Sequence, residues 1–132
     1  LLHLEEEKSH LLIFKNKTLY MMRDLDMGIT MLREAKRDEL KEANFYQDFA
    51  MEIQRSFDYC ASKLQNANVS RLLLTPLQEK RPGLLSNLSN ILGLPVREIQ
   101  FEEFMKVNEA FLPLKEGKSA VAIGAALNQE NP

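Results

Sequence analysis

The sequence predicts an α/β fold with a mixed sheet of about five strands, packed with helices. In residues 71–99 a leucine run, a helical apolar stripe and an alternating segment follow one another, which is typical of a strand–helix–strand unit. In residues 1–26 three strand-like segments are joined by short polar turns. A helix between two strands predicts that they are parallel, whereas short turns predict antiparallel pairing.

The strand–helix–strand unit begins with Leu72–Leu74, an apolar run of the kind buried in a parallel sheet, and Thr75 and Pro76 end it. Pro82 suits the first turn of the following helix, where its missing N–H is not needed. Spacings of three and four residues give this helix an apolar face, formed by Leu84, Leu85, Leu88, Ile91 and Leu92.

A helix stop and a second strand complete the unit. Gly93 tolerates the left-handed conformation after a last helical turn, and a proline two residues later cannot continue a helix. Pro95–Ile99 alternates, which predicts a strand with one buried face. We therefore expect two parallel strands with a right-handed crossover.

The first part of the chain predicts an antiparallel meander. Leu1–Leu4 and His10–Phe14 are strand-like and are separated by the charged turn 5–8. Residues 15–17 are short and polar, and they are predicted to form a hairpin connection to the third strand, Thr18–Leu25.

Helices are predicted between the meander and the unit. Gly28 marks a break, after which Thr30 is the expected cap. The charged run 34–42 mixes both signs, which predicts a solvated helix face. From Phe45 a long helix is indicated by the apolar stripe of Tyr46, Phe49, Ala50, Ile53, Phe57, Cys60, Ala61 and Leu64. A closing helix rich in small residues is predicted over 119–127.

Composition narrows the function classes. The chain is 45% hydrophobic and 27% charged, which is typical of a soluble globular domain, and we expect one domain over residues 1–132. The net charge of −2 gives no overall field that would attract nucleic acid. No apolar run has the length needed to insert into a membrane.

The side chains most often used in chemistry are isolated in the sequence. His3 and His10 lack further ligands at metal-binding spacing, so we expect surface or edge-strand histidines and no metal site. Cys60 lies on the apolar helix stripe, which predicts a buried, inert thiol. No catalytic residues are expected.

Four strings, in chain order, resemble a known family. They are YMMRDLDMG (20–28), EIQRSFDY (52–59), the stretch 71–96, and AIGAAL (122–127). With the order of elements, they resemble the second half of an actin-like ATPase domain, and in particular the PilM-like, MshI-type proteins of MSHA (type IV) pilus biogenesis. The resemblance implies a ribonuclease H-like half of that fold, and a chain that is the C-terminal half of a longer actin-like protein.

Two turns depart from the family's pattern. The family's Asp-x-Gly phosphate turn and its glycine-rich nucleoside turn are replaced by Leu4, Glu5 and Glu6, and by Thr75, Pro76 and Leu77. Glycine allows a backbone to approach a phosphate closely, whereas carboxylates repel it. The resemblance therefore implies a degenerate nucleotide site whose space is filled by side chains. No cofactor is expected in this half, and ATP with Mg²⁺ is expected only if the missing half supplies a site.

Lys80 and Arg81 are candidates for an anion contact. They precede the predicted helix of the strand–helix–strand unit, at the edge where open α/β sheets bind ligands.

The resemblance implies a non-catalytic scaffold of a pilus assembly platform. It implies a position on the cytoplasmic face of the bacterial inner membrane and a PilN-like membrane protein as partner. Two alternatives remain open: a nucleotide-binding actin-like ATPase, and the cytoplasmic domain of a type II secretion L-type protein.

Overall fold

A computed structural model of the chain describes residues 1–15, 18–63, 68–77, 79–100, 102–103 and 105–106. Its elements are β1 (Leu2–Leu4), β2 (Ser9–Lys15), β3 (Thr18–Leu25), α1 (Ile29–Ala35), α2 (Glu39–Lys63), β4 (Leu72–Leu74), α3 (Leu84–Leu92) and β5 (Val96–Glu98). The strands form one mixed sheet in the order β3-β2-β1-β4-β5. β1, β2 and β3 are antiparallel neighbours, while β1, β4 and β5 run parallel. The predicted mixed five-stranded sheet is confirmed.

The β2–β3 hairpin contains a β-bulge. Ile13 pairs with Met21, but the next residue of β2, Phe14, pairs with Leu19. Tyr20 is thus an extra residue on β3. Between the bulge and the start of β2, His10 lies opposite Asp24.

The core lies between the sheet and α2, with α1 and α3 packed against α2. Phe49 and Ile53 of α2 are fully buried, as are Leu2 of β1 and Leu74 of β4. Burying a side chain of this size contributes about 1.5–3 kcal/mol of stability. The predicted apolar stripe is confirmed from Tyr46 to Cys60.

The charged run 34–42 is not one helix, contrary to the sequence prediction. α1 ends at Ala35, residues 36–38 form a turn, and α2 begins at Glu39. The Asp38 carboxylate accepts a hydrogen bond from the Leu40 N–H at 2.9 Å, which offers the backbone an alternative to a continuous helix.

Two predicted helix starts also differ from the structure. The residue before α1 is Gly28, with extended backbone and no side-chain cap, so Thr30 lies inside the helix and is not its cap. α3 begins at Leu84 after Gly83, whose φ is +89°, so Pro82 precedes the helix. The helix stop at Gly93 is confirmed, with φ of +70°.

Arg23 joins two of the strings that carry the family resemblance. From β3 its guanidinium donates to the Glu52 carboxylate at 2.7 Å and to the Ser56 hydroxyl at 2.8 Å, both on α2. Because Arg23 and Glu52 are both about a third exposed, the ion pair contributes roughly 0.5–1 kcal/mol.

Some predictions fall outside the described residues: the hairpin residues Asn16 and Lys17, Leu64 of the predicted apolar stripe, and the closing helix over 119–127. None of the helices in the described ranges has the length and apolar character needed to cross a bilayer.

Candidate functional site

A pocket of about 460 Å³ lies at the carboxyl ends of the parallel strands β1 and β4. Its walls come from the turn 4–8 after β1, from Ile29 and Arg33 of α1, and from the loop after β4. Open α/β sheets bind ligands at this edge, because the loops after neighbouring parallel strands diverge there.

The structure brings most of the predicted site residues to this pocket. It is lined by Leu4, Glu5 and Glu6 from the first turn and by Pro76, Leu77 and Arg81 from the second. Thr75 is buried and binds His3. Lys80 is exposed and is not among the described residues that line the pocket. Open volume remains between the two turns. The degenerate nucleotide site stays a prediction.

The acidic turn is held by main-chain hydrogen bonds. The Glu5 N–H donates to the Lys8 carbonyl at 2.9 Å. The N–H groups of Ile29 and Thr30, at the start of α1, donate to the carbonyls of Glu5 and Glu6 at 2.9 and 3.0 Å. Donors at a helix start attract anions when they are unsatisfied, and these two are already satisfied by the turn.

Gly28 lets the turn and α1 approach this closely. A Cβ at this position would lie 2.6 Å from the carbonyl oxygens of both Glu5 and Glu6, and 2.7 Å from the Lys8 nitrogen. The neighbouring atoms belong to the backbone, so no side-chain rotation can relieve the overlap.

His10 ties the Glu5 carboxylate to the sheet. Its Nε2 atom lies 2.5 Å from Glu5 Oε1, and its Nδ1 atom lies 2.6 Å from Asp24 Oδ1. Both carboxylates lie within hydrogen-bond distance of the ring, so His10 bridges Glu5 and Asp24. The Glu5 carboxylate therefore has a partner within the protein.

The other two carboxylates of the turn also have partners. Glu6 Oε2 lies 3.6 Å from Arg33 Nη1 and accepts a hydrogen bond from the Thr30 hydroxyl at 3.2 Å. Glu7 lies 3.4 Å from the same hydroxyl. These groups are largely exposed, so each interaction is weak.

His3 lies at the floor of the pocket, and the prediction of surface or edge-strand histidines is wrong. β1 is the central strand, β2 is also internal, and His3 is only 2% exposed. Its Nδ1 atom lies 2.8 Å from the Thr75 hydroxyl, and its ring stacks with that of His10 at a centroid distance of 6.1 Å. The sequence signals strands but not which of them lies in the centre.

Burial lowers the pKa of His3 below its ordinary 6.5; the charge of Glu5 acts in the opposite direction, and His10 lowers the pKa further. The unfolded chain therefore binds a proton at a pH where folded His3 resists it. We expect folding stability to decrease as the pH falls below 6.5, and to stop changing below the lowered pKa.

This pH dependence is measured by chemical denaturation at a series of pH values, with NMR titration of the His3 ring. A His3→Gln variant should lose this part of the pH dependence. A His3 titration midpoint at or above 6.5 would contradict the prediction.

Within the described part of the chain, no group of three or more His, Cys, Asp or Glu side chains is arranged to hold a metal ion. Cys60 is buried in the core at 4% exposure, as its place on the apolar stripe predicted.

Sequence reasoning missed several residues of the pocket. Lys8, Ile29, Arg33 and Glu79 line it beside the predicted residues. Arg33 is the fifth residue of α1, one turn after the residues that bind the acidic turn. Helical periodicity from Ile29 would have placed it on the same side as the turn, had the contact with α1 been foreseen.

No protein-family model matches the chain, and no curated protein matches it. Its fold is similar to that of a chain in a solved structure described as "PilM-PilN type IV pilus biogenesis complex", with a TM-score of 0.51 and 19% sequence identity. The similarity covers 99% of this chain and 46% of that one, so this chain spans less than half the length of its structural neighbour. With the observed strand order, it confirms the predicted fold class, an α/β fold with a mixed five-stranded sheet packed with helices.

Proposed function

We propose that the chain is a non-catalytic assembly module of a type IV pilus biogenesis platform, an actin-like module whose nucleotide site is degenerate. The observation that carries the proposal is the acidic turn at the pocket. The glycine-free segment Leu4–Lys8 occupies the position where the resemblance predicts a phosphate-binding turn, and it presents three consecutive glutamates.

Electrostatics support the loss of triphosphate binding. For unit charges about 5 Å apart at an effective dielectric constant of about 20, each carboxylate–phosphate pair costs about 3 kcal/mol, and less where solvent screens the charges. The first N–H groups of α1, which would otherwise attract phosphate, bind the carbonyls of Glu5 and Glu6. A triphosphate would therefore meet carboxylates where it needs donors.

The finer assignment rests on the sequence resemblance. It favours the MSHA-type platform, with the module on the cytoplasmic face of the inner membrane and a PilN-like membrane protein as partner. The structural neighbour is itself described as a PilM–PilN complex, which supports a protein partner of this kind for the present chain.

An actin-like ATPase is the second candidate, and the open pocket favours it. A volume of about 460 Å³ lies within the range of small-molecule sites. The other half of an actin-like domain would then have to supply the phosphate contacts.

A thermal melt of the full-length protein with and without millimolar Mg-ATP separates the two candidates. A ligand at one hundred times its Kd stabilises the native state by about 2.7 kcal/mol, which shifts the midpoint measurably. We expect no shift for the wild type. Mg²⁺ with sulfate at equal ionic strength is the control, and a Pro76→Gly, Leu77→Gly variant shows whether restored glycines recover binding.

The partner is tested by fluorescence anisotropy with the labelled cytoplasmic tail of a PilN-like protein. Saturable binding that Mg-ATP does not alter supports the scaffold. A saturable rise of the melting midpoint with Mg-ATP would overturn the degenerate site and favour the ATPase.

A further inference from the structure

The pocket is lined by the nearly buried guanidinium of Arg81, which has one weak ion pair within the described part of the chain. The Arg81 side chain is 11% exposed, and its Nη2 atom lies 3.4 Å from Glu79 Oε2. A guanidinium has five N–H donors in a planar fork, and a buried charge requires close partners. Glu79 is 71% exposed, so its carboxylate lies largely in solvent.

The contact with Glu79 indicates which chemical group Arg81 would bind. Carboxylates match the guanidinium fork and form two parallel hydrogen bonds with it when both oxygens are free to align. The single contact at 3.4 Å is longer than such bonds, so an incoming carboxylate with better geometry would replace Glu79.

The other residues that line the pocket determine the polarity and charge that the rest of the ligand can have. Leu4, Ile29, Pro76 and Leu77 supply apolar surface beside Arg81. Additional negative charges would meet the glutamates of the acidic turn, which already have partners within the protein. A ligand with one anionic group on an apolar body complements both Arg81 and the apolar surface, whereas a polyanion would be repelled by the acidic turn.

We propose that the pocket binds a ligand that joins one carboxylate to an apolar body, with the carboxylate on Arg81 and the body against Leu4, Ile29, Pro76 and Leu77. The ligand is either a free carboxylic acid or the acidic side chain of a partner peptide, since the recognised chemistry is the same. This inference goes beyond the pilus assembly role and does not depend on it.

The experiment is an NMR titration of the full-length protein with methyl-labelled leucine and isoleucine. The probes are hexanoate, the neutral analogue hexanol, and the capped dipeptide acetyl-leucyl-glutamate amide. We expect saturable shifts of the Leu4, Ile29 and Leu77 methyl groups with hexanoate or the dipeptide, and at least about tenfold weaker binding of hexanol. Tighter binding of hexanoate would indicate a free carboxylic acid as the ligand, and tighter binding of the dipeptide would indicate an acidic side chain of a partner peptide.

Three variants test the role of Arg81. Arg81→Gln should weaken hexanoate binding about tenfold or more, while Lys80→Gln, an exposed neighbour outside the pocket, should leave it unchanged. Glu79→Gln should tighten binding several-fold, because it removes the competing carboxylate, and this exposed change keeps the test valid if Arg81→Gln fails to fold.

The proposal is overturned if hexanoate gives no saturable shift, if hexanol binds equally well, or if Glu79→Gln weakens binding. A negative result for the carboxylate pocket would leave the proposed assembly role untouched. Stabilisation by Mg-ATP that hexanoate competes away would refute the degenerate nucleotide site and leave the carboxylate pocket standing.

Discussion

Replacing Gly28 with alanine is expected to destabilise the fold by about 3 kcal/mol, at the upper end of overpacking costs. The added Cβ would lie 2.6 Å from two backbone carbonyls of the acidic turn. Relief requires the turn and α1 to separate, which breaks the hydrogen bonds from Ile29 and Thr30 to that turn. The free energy of unfolding, measured in urea, gives the effect directly.

Gly93→Ala is the matched control. Gly93 has φ of +70° and no atom within 4 Å of an added Cβ, so alanine there causes only the strain of a left-handed conformation, about 1–2 kcal/mol. We therefore expect Gly28→Ala to be the more damaging of the two. If the two losses were equal, close approach would not be the reason for glycine at position 28.

Replacing Thr75 with valine is expected to cost about 2 kcal/mol, because it removes the hydroxyl that pairs with His3 Nδ1 while keeping the shape of the side chain. Both side chains are 2% exposed, so water does not readily replace the lost partner. Chemical denaturation measures the loss, and NMR of the His3 ring reports the changed environment.

Thr75→Ser is the control for this contact, since it retains the hydroxyl and removes only a methyl group. It should be less destabilising than Thr75→Val. The reverse order would show that the methyl group, and not the hydrogen bond to His3, stabilises this end of β4.

Local patterns predicted the elements well where one strong signal was present. The bounds of β3 and β4 agree with the sequence prediction, because turn-forming residues flank both strands. The stop at Gly93 agrees for the same reason. The break at residues 36–38 was missed, because it lies within a charged run that is equally compatible with a continuous helix.

Both turns of the pocket follow strands that were predicted to lie in one sheet, but an open pocket between the turns was not predicted. Leu4, Pro76 and Arg81 line it together. The link from His3 to Thr75 spans 72 residues and depends on the strand order, which no local pattern encodes. The degenerate nucleotide site and the role of Arg81 stay predictions.

The bulge at Tyr20 determines which charges meet on each side of the sheet. Lys15 pairs with Thr18, and a regular ladder continued from this pair through Tyr20, with no bulge, would place Arg23, not Asp24, opposite His10. A shift of one residue exchanges the two faces of a strand. Arg23 would then lie beside His10, and Asp24 would face the α2 side that carries Glu52. The bulge thus places Asp24 beside His10 and Arg23 beside Glu52. Deleting Tyr20 would keep both pairs, because a regular ladder continued from Lys15 and Thr18 would then bring the same residues together.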